Sequence, residues 1–229
     1  MKEILLKNSI EVSEEVFADL NEFCDFLLEK NKQFNLTAIR DKAEFFEKHL
    51  ADSLKGASFF SDGKRILEVG SGGGFPSLPL KLNNRELDFT LLEATGKKCA
   101  FLNEVKNNFA LDKLEVVNAR AEEYSRTSAR ESFDIVTARA VASLNVLCEL
   151  CLPFLKVGGR AVFYKQKSQS EFNEGKKAIE ILGGKWVDSF SYTLASSPES
   201  ERVIIVIEKI KNTPEKYPRE YKKIAKSPL

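Results

Sequence analysis

The residues best suited to chemistry form one glycine-rich segment, Glu68-Val69-Gly70-Ser71-Gly72-Gly73-Gly74-Phe75-Pro76. Glycine has no Cβ, so bare backbone in such a segment can approach a ligand closely. The start of a following helix offers free N–H groups to the same ligand. The segment is therefore typical of a site that holds a nucleotide-like cofactor at the carboxyl end of a sheet.

The spacing of the glycines discriminates between two kinds of cofactor. A dinucleotide fingerprint reads G-x-G-x-x-G/A, but here its third position is Phe75, which is neither small nor flexible. The segment instead resembles the acid-x-G-x-G-x-G pattern of Class I methyltransferases, through Glu68, Gly70, Gly72 and Gly74. This resemblance implies S-adenosylmethionine, with its amino-acid end against the glycine turn. An NAD-dependent oxidoreductase is the alternative from another class of enzyme.

Two further candidate cofactor contacts follow the next predicted strands. Glu93 ends the second strand, about 23 residues beyond Gly70, where a carboxylate can accept hydrogen bonds from ribose hydroxyls. Ala121-Glu122 follows the third strand, the usual place for a loop that covers an adenine. An acidic residue in the first turn of a helix explains Glu122 nearly as well.

Two cations end the next strands and are candidates for positioning a substrate. Arg139 ends the fourth strand, where it can bind a carboxylate or phosphate through two parallel hydrogen bonds. Lys165 ends the fifth strand near the same crevice, although a lysine at a strand end is more often merely solvated.

The segment after the fourth strand also bears on the mechanism. It reads Thr137-Ala138-Arg139-Ala140 and lacks the Asn/Asp-Pro-Pro-Tyr/Phe of many methyltransferases that act on exocyclic nitrogens. A ring nitrogen with a lone pair can attack the methyl group directly and in line. We therefore expect no catalytic acid or base, and the single histidine, His49, is not needed as one.

Alternating strands and helices must position these residues. The predicted strands cover residues 65–69, 89–93, 114–118, 133–138, 160–165, 185–194 and 202–209. Helical patterns separate most of them, which predicts an α/β fold with a seven-stranded, mostly parallel, Rossmann-like sheet. No helix separates the last two strands, only a Ser/Pro/Glu loop, so this hairpin is predicted to be antiparallel.

Three regions are predicted along the chain. Residues 1–60 form an N-terminal helical segment, with one helix from Ser13 to about residue 30 and another from Asp41 through residue 54. Residues 61–211 form the methyltransferase domain. Residues 212–229 form a basic tail without regular structure. The N-terminal segment carries 8 Lys/Arg against 12 Asp/Glu, so the positive charge lies in the rest of the chain.

Composition excludes several classes of protein. No apolar run is long enough for a membrane span, so no membrane contact is expected. The pair Cys148 and Cys151 is better explained as two small hydrophobic residues on a buried helix face than as half of a metal site, because zinc needs further ligands and the chain has one His. We expect no metal, and a reducing, cytoplasmic compartment.

Several motifs beyond the glycine segment resemble one family, the bacterial small-subunit rRNA guanine-N7 methyltransferases, also called glucose-inhibited division protein B. They are Phe34-Asn35-Leu36-Thr37-Ala38-Ile39, His49-Leu50-Ala51-Asp52-Ser53-Leu54, Val69 through Pro76, Thr137-Ala138-Arg139-Ala140, Lys216-Tyr217-Pro218-Arg219 and Ser227-Pro228-Leu229. Together these motifs span nearly the whole chain, from Phe34 to Leu229. Their order makes the resemblance far more specific than the glycine segment alone.

The resemblance implies a substrate and a set of contacts. S-adenosylmethionine would contact Gly70, Phe75, Ala121, Glu122 and Arg139. The methyl group would go to N7 of a guanine in the 530 loop, in the decoding region of 16S rRNA, through direct attack without a general base. We expect a monomer that acts on a 30S particle or an assembly intermediate, because a net charge of +1 is too small for bulk attraction to naked RNA.

Candidate RNA contacts are Lys165 and the tail residues Arg219, Lys222 and Lys223. From residue 212 on, five cations face only two acidic residues, and such a cluster can contact phosphates. A merely solvated tail explains the same charges. The sequence is also compatible with a small-molecule methyltransferase of the same fold and with a non-catalytic RNA-binding scaffold.

Overall fold

A computed structural model describes all 229 residues of the chain. Seven strands form one sheet in the order β3-β2-β1-β4-β5-β7-β6. Strands β1 to β5 are parallel, whereas β7 runs antiparallel to both β5 and β6. The α/β class, the seven strands and the antiparallel last hairpin are thus confirmed. The strands are β1 Arg65–Val69, β2 Asp88–Glu93, β3 Leu114–Asn118, β4 Phe133–Arg139, β5 Leu155–Gln166, β6 Gly184–Leu194 and β7 Ser197–Lys209.

Ten α-helices accompany the sheet: α1 Lys2–Lys7, α2 Glu14–Phe34, α3 Lys42–Phe45, α4 Asp52–Leu54, α5 Ser77–Asn83, α6 Gly96–Asn108, α7 Ala121–Tyr124, α8 Leu144–Cys151, α9 Gln169–Ile181 and α10 Tyr221–Lys226. Helix α1 is an addition to the predicted elements. The predicted loop between the last two strands is shorter than expected, because β7 begins at Ser197. None of the helices combines the length and the hydrophobicity that a membrane span requires.

The N-terminal helices begin at the predicted caps. The Ser13 hydroxyl accepts a hydrogen bond from the Val16 N–H, and the Asp41 carboxylate accepts one from the Glu44 N–H. Each side chain satisfies one of the donors left free at a helix start. Between α3 and α4 the chain forms one π-helical turn, Phe46–Ala51. Such turns are rare and frequent at functional sites, and this one carries His49.

Two apolar cores cover the two faces of the sheet. Neighbouring residues of one strand belong to different cores, as Ile66 and Leu67 do, because side chains alternate across a sheet. The first core also contains Leu20, Phe23 and Leu50, so the N-terminal helices share their interior with the sheet. Cys148 and Cys151 are buried in the second core, as small hydrophobic residues would be.

The predicted absence of regular structure after residue 211 is wrong. The tail ends in helix α10, whose Ile224 is fully buried in the second core. Tyr217 and Pro218 are buried as well. The prediction rested on the Pro and Lys content of the tail, whereas its buried apolar residues and its long-range hydrogen bonds with Arg126, Arg130 and Glu149 hold it on the body of the protein.

Candidate functional site

The bend after β1 requires glycine at two positions for steric reasons. Gly70 has φ +71° and Gly74 has φ +87°, a region that residues with a Cβ rarely adopt. A Cβ on Gly70 would lie 2.9 Å from Cγ2 of Val141, and one on Gly74 would lie 2.2 Å from Cδ1 of Leu78. The alternate glycines therefore let the bend fit between the β4 loop and helix α5.

The Glu93 carboxylate holds this bend in place from the end of β2. Its Oε2 accepts a hydrogen bond from the Gly72 N–H at 2.9 Å, and its Oε1 accepts one from the Thr95 N–H at 2.8 Å. A carboxylate offers about four acceptor positions, so each oxygen keeps one for a ligand. Glu93 thus lies where the spacing predicted, with an additional role in shaping the glycine turn.

A cavity of about 250 Å³ opens beside the bend, and we call it the glycine cavity. It brings together four of the predicted cofactor contacts, Gly70, Glu93, Ala121 and Glu122. Its other lining residues are Val69, Leu92, Ala94, Thr95, Ala119, Arg120, Val141, Leu150 and Tyr221. The mixture of apolar side chains and two carboxylates can accommodate a flat apolar ring system joined to a sugar with hydroxyl groups.

The remaining predicted cofactor contacts, Gly72, Gly74, Phe75 and Arg139, do not line this cavity. Phe75 is buried and stacks on His49, with ring centroids 4.3 Å apart and planes 14° apart. The Arg139 guanidinium lies 5.0 Å from the centroid of the same ring. These three side chains form one stacked group between the bend and the N-terminal helices.

Arg139 lines a second cavity of about 320 Å³, which we call the arginine cavity. This cavity also contains Lys165, the other predicted substrate-positioning residue. Its remaining lining residues are Asp52, Ala140, Tyr164, Gln166, Tyr192 and Arg202. Arg139, Lys165 and Arg202 outnumber the carboxylates that pair with them, Asp52 and Glu171, so a net positive charge remains, which suits an anionic group such as phosphate.

Asp52 organises the arginine cavity from α4. One oxygen lies 2.7 Å from the Arg139 guanidinium. The other accepts a hydrogen bond from the Tyr192 hydroxyl at 2.8 Å and lies 3.1 Å from Arg202. Asp52 is 1% exposed, so its carboxylate is shielded from solvent. A buried carboxylate between two guanidinium groups fixes the orientation of both.

His49 completes the network with both of its ring nitrogens. Nδ1 lies 2.8 Å from Nη2 of Arg139, and Nε2 lies 2.7 Å from the Thr37 hydroxyl. Since a guanidinium can only donate, Nδ1 accepts and Nε2 carries the proton. Burial, together with the charge of Arg139, lowers the pKa of His49 to about 3. The imidazole is therefore neutral and acts as a structural link.

The chain segment 139–141 separates the two cavities. Arg139 and Ala140 line the arginine cavity, and Val141 lines the glycine cavity. Ala140 has φ +55°, a left-handed conformation that is costly for a residue with a Cβ. Strained backbone of this kind clusters at functional sites, where the surrounding structure holds it in place.

Glu68, the acidic residue of the glycine pattern, is completely buried at the end of β1. Neither of its carboxylate oxygens has a hydrogen-bond partner. Burial raises the pKa of Glu68 to about 8, so the carboxyl group is largely protonated at neutral pH. Glu68 lines neither cavity.

The predicted RNA contacts differ in their exposure and in their ion-pair partners. Lys222 and Lys223 are exposed on α10. Arg219 forms a two-pronged ion pair with the buried carboxylate of Glu149, which commits its guanidinium to a structural role. Lys165 is only 13% exposed, because its ammonium group pairs with Glu171 and donates to the Ala142 carbonyl.

Among the lining residues that sequence reasoning missed, four bring other parts of the chain to the two cavities: Asp52, Tyr192, Arg202 and Tyr221. Asp52 stands in one of the motifs that carry the family resemblance, His49 through Leu54, so its presence there was the available signal. The other three follow no local pattern. They reach the site because β6, β7 and the tail fold back on it. No group of three or more His, Cys, Asp or Glu side chains could hold a metal ion.

Solved structures show that this fold is widespread. The chain resembles TYW2 from M. jannaschii, solved in complex with AdoMet, with a TM-score of 0.57 over 71% of this chain and 76% of that one. It also resembles the YcgJ protein from Bacillus subtilis, with a TM-score of 0.55 over 72% of this chain and 100% of that one. Sequence identities of 15% and 12% limit both likenesses to the fold.

Comparison of sequences is far more specific. The chain is 43% identical to the ribosomal RNA small subunit methyltransferase G of Lactobacillus johnsonii, covering 98% of this chain and 96% of that protein. It is 41% identical to the protein of the same name from a Geobacillus species, covering 94% and 92%. The family model for rRNA small subunit methyltransferase G, GidB, matches residues 17–197. The chain therefore belongs to the GidB family of rRNA small subunit methyltransferases.

Proposed function

We propose that this protein transfers the methyl group of S-adenosylmethionine to N7 of a guanine in the 530 loop of 16S rRNA. The observation that carries the proposal is the pair of cavities on either side of segment 139–141, one built on the glycine bend and one lined by cations. Membership of the GidB family supports methyl transfer to small-subunit rRNA. The resemblance of the sequence motifs to guanine-N7 methyltransferases supports guanine N7 and the 530 loop.

The residues of the glycine cavity fit S-adenosylmethionine. Two acceptor positions on Glu93 remain for ribose hydroxyls, and Leu92, Val141 and Leu150 offer apolar surface to an adenine ring. The bend presents bare backbone at Gly70 to the amino-acid end. The cofactor supplies an electrophilic methyl group on a positively charged sulfur when it is bound. The structure of M. jannaschii TYW2, which has a similar fold, was determined in complex with AdoMet.

The chain does not have to supply a general base. N7 of guanine carries a lone pair and no proton, so its attack on a methyl group releases no proton. Both ring nitrogens of His49 form hydrogen bonds, one with Arg139 and one with Thr37. What the protein contributes is position, since correct orientation of two reactants can lower a barrier by about 7–11 kcal/mol.

The arginine cavity fits the RNA side of the reaction. Arg139, Lys165 and Arg202 favour a phosphate next to the target nucleotide, and Asp52 keeps the two guanidinium groups at the wall. N7-methylguanine is cationic, so the cations of this wall also favour release of the product base. A substrate with phosphates therefore suits the cavity better than a neutral metabolite does.

The ribosomal context also belongs to this proposal. A net charge of +1 gives little bulk attraction to naked RNA, so a 30S particle or an assembly intermediate in the cytoplasm is the proposed substrate, bound by a monomer. Local patches, such as the one with Lys222 and Lys223 on α10, would contact phosphates.

The test uses purified full-length protein, labelled S-adenosylmethionine and two substrates from cells that lack the modification: 30S particles and deproteinised 16S rRNA. We expect transfer to one guanine in the 530 loop, mapped as 7-methylguanine, with particles as the better substrate. Transfer to another nucleotide would refute the substrate assignment. Binding of S-adenosylhomocysteine without transfer to either RNA, combined with activity on a metabolite, would establish a small-molecule enzyme.

The cofactor site has its own test in Glu93→Gln. An amide offers one acceptor oxygen where the bend and Thr95 need two, so affinity for S-adenosylhomocysteine should fall about tenfold or more in calorimetry. Glu115→Gln is the matched control, because Glu115 is an exposed acidic residue on the neighbouring strand β3. Equal affinities of both variants and the wild type would place the cofactor elsewhere.

A further inference from the structure

Two arginines of the body hold the tail after β7 in place, because they donate hydrogen bonds to backbone carbonyls of the tail. The Arg130 guanidinium donates to the Thr213 carbonyl at 2.8 Å and to the Tyr217 carbonyl at 3.0 Å. The Arg126 guanidinium donates to the Pro218 carbonyl at 2.8 Å. Both arginines follow helix α7, whose first residues line the glycine cavity. The tail is thus anchored next to the wall of that cavity.

A buried ion pair fixes the last part of the tail. Glu149 on α8 is completely buried, and its carboxylate accepts from the Arg219 backbone N–H at 2.8 Å and from Nε of the same residue at 2.8 Å. Nη2 of Arg219 bonds the second oxygen at 2.6 Å. Such a fork is directional as well as strong. Leu150, the next residue on α8, lines the glycine cavity, so the anchor and the cavity share one helix.

Two residues beyond this anchor, Tyr221 lines the glycine cavity. It precedes the fully buried Ile224 by three positions on α10, so both side chains lie on the helix face that turns towards the body. Tyr221 is nevertheless 41% exposed, unlike Ile224. Tyr221 thus keeps part of its surface exposed while it lines the cavity.

We propose that Tyr221 is a cofactor-binding residue whose ring covers the adenosine part of S-adenosylmethionine, and that the Arg219–Glu149 pair positions it. The proposal rests on the assignment of the glycine cavity to this cofactor. A tyrosine ring offers a flat apolar surface for stacking on a purine at a low cost in conformational entropy. The tail thereby completes the cofactor site, and the exposed Lys222 and Lys223 that follow place RNA contacts directly beside it.

The first experiment measures binding of S-adenosylhomocysteine and of adenosine to full-length Tyr221→Ala by calorimetry. Loss of one aromatic stacking partner should weaken both ligands by about three- to tenfold, while Tyr221→Phe should bind nearly as the wild type does. Phe190→Ala is the matched control, because Phe190 is exposed to a similar extent, 44%, on the distant edge strand β6. This control should leave both affinities unchanged.

The second experiment tests the positioning role of Arg219. Arg219→Gln should weaken binding of S-adenosylhomocysteine although Arg219 does not line the cavity. The same substitution in the Tyr221→Ala background should have no further effect on affinity, because Arg219 acts through Tyr221. A merely structural role would lower affinity equally in both backgrounds. Thermal unfolding of each variant checks that the affinities are compared between folded proteins.

Three outcomes overturn the proposal in distinguishable ways. If Tyr221→Ala binds both ligands as the wild type does while Glu93→Gln does not, the cofactor site stands and the role of the tail is refuted. If the wild type itself binds no S-adenosylhomocysteine, the proposed function fails together with this inference. Loss of affinity for S-adenosylhomocysteine but not for adenosine would also refute it, since the ring would then not contact adenosine.

Discussion

Asp52 lies 2.7 Å from the guanidinium of Arg139, and this ion pair joins the N-terminal helices to the end of β4. The two residues are 87 positions apart in the chain. Their contact means that the N-terminal segment contributes a wall of the proposed substrate cavity. The same carboxylate also orients Arg202 from β7, so three regions of the chain meet at one buried acidic group.

The first prediction concerns the stability of this network. Asp52→Asn leaves two guanidinium groups close together without a countercharge, and breaking a buried ion pair costs about 3–5 kcal/mol. The free energy of unfolding, measured by urea denaturation, should therefore be about 3–5 kcal/mol lower than that of the wild type. Asp25→Asn is the control: Asp25 forms an exposed pair with Lys42, and its loss should cost less than about 1 kcal/mol. Equal costs would contradict a central role for Asp52.

The second prediction concerns the protonation state of His49, the only histidine of the chain. Because the pKa of His49 is lowered to about 3, its imidazole signals should not titrate between pH 8 and pH 5 in NMR spectra of the tag-free protein. The nitrogen shifts should identify the tautomer with the proton on Nε2. A titration midpoint near the ordinary value of 6.5 would show that the imidazole is exposed and that the contact with Arg139 is absent.

The third prediction follows from the buried carboxyl group of Glu68. Its pKa is raised from 4.5 to about 8, so between these values the folded state holds a proton that the unfolded state releases. Stability from this group is complete below pH 4.5 and is lost as the pH rises towards 8. The substitution Glu68→Gln removes the titratable carboxyl group, and with it this loss of stability. Relative to the wild type, the ligand-free variant should gain roughly 1 kcal/mol per pH unit between about pH 5.5 and 7.5.

Urea unfolding of wild type and Glu68→Gln at several pH values measures this difference. Burial of the amide group adds an offset that does not depend on pH, so the slope and not the absolute value is the readout. A difference that stays constant with pH would show that Glu68 is ionised in the folded protein.

The fourth prediction concerns the exposed cations of α10. Replacement of both Lys222 and Lys223 by Glu should raise the KM for 30S particles. In a plot of the logarithm of the binding constant against the logarithm of the salt concentration, the slope should become less steep by about two units. The control reverses two exposed lysines of α9, Lys176 and Lys177, in the same way. Identical effects of the two double variants would indicate general electrostatics instead of a contact through the tail.

The sequence determined those features that depend on neighbouring residues. The alternation of apolar strands and helical patterns predicted seven strands and their mostly parallel arrangement, because periodic hydrophobicity is read over a few residues. The glycine spacing placed a tight bend after β1, and Ser13 and Asp41 placed two helix starts. Each of these was predicted from residue types within a few positions of one another in the chain.

Only the tertiary structure decided which distant groups meet. Asp52 with Arg139, and Glu149 with Arg219, pair across 87 and 70 positions, and no local pattern specifies such partners. For the same reason a tail that reads as solvated lysines and prolines is anchored and brings Tyr221 to the glycine cavity. Hydrophobic periodicity reports which face of an element is buried, whereas the partner of a buried charge depends on how complete elements pack together.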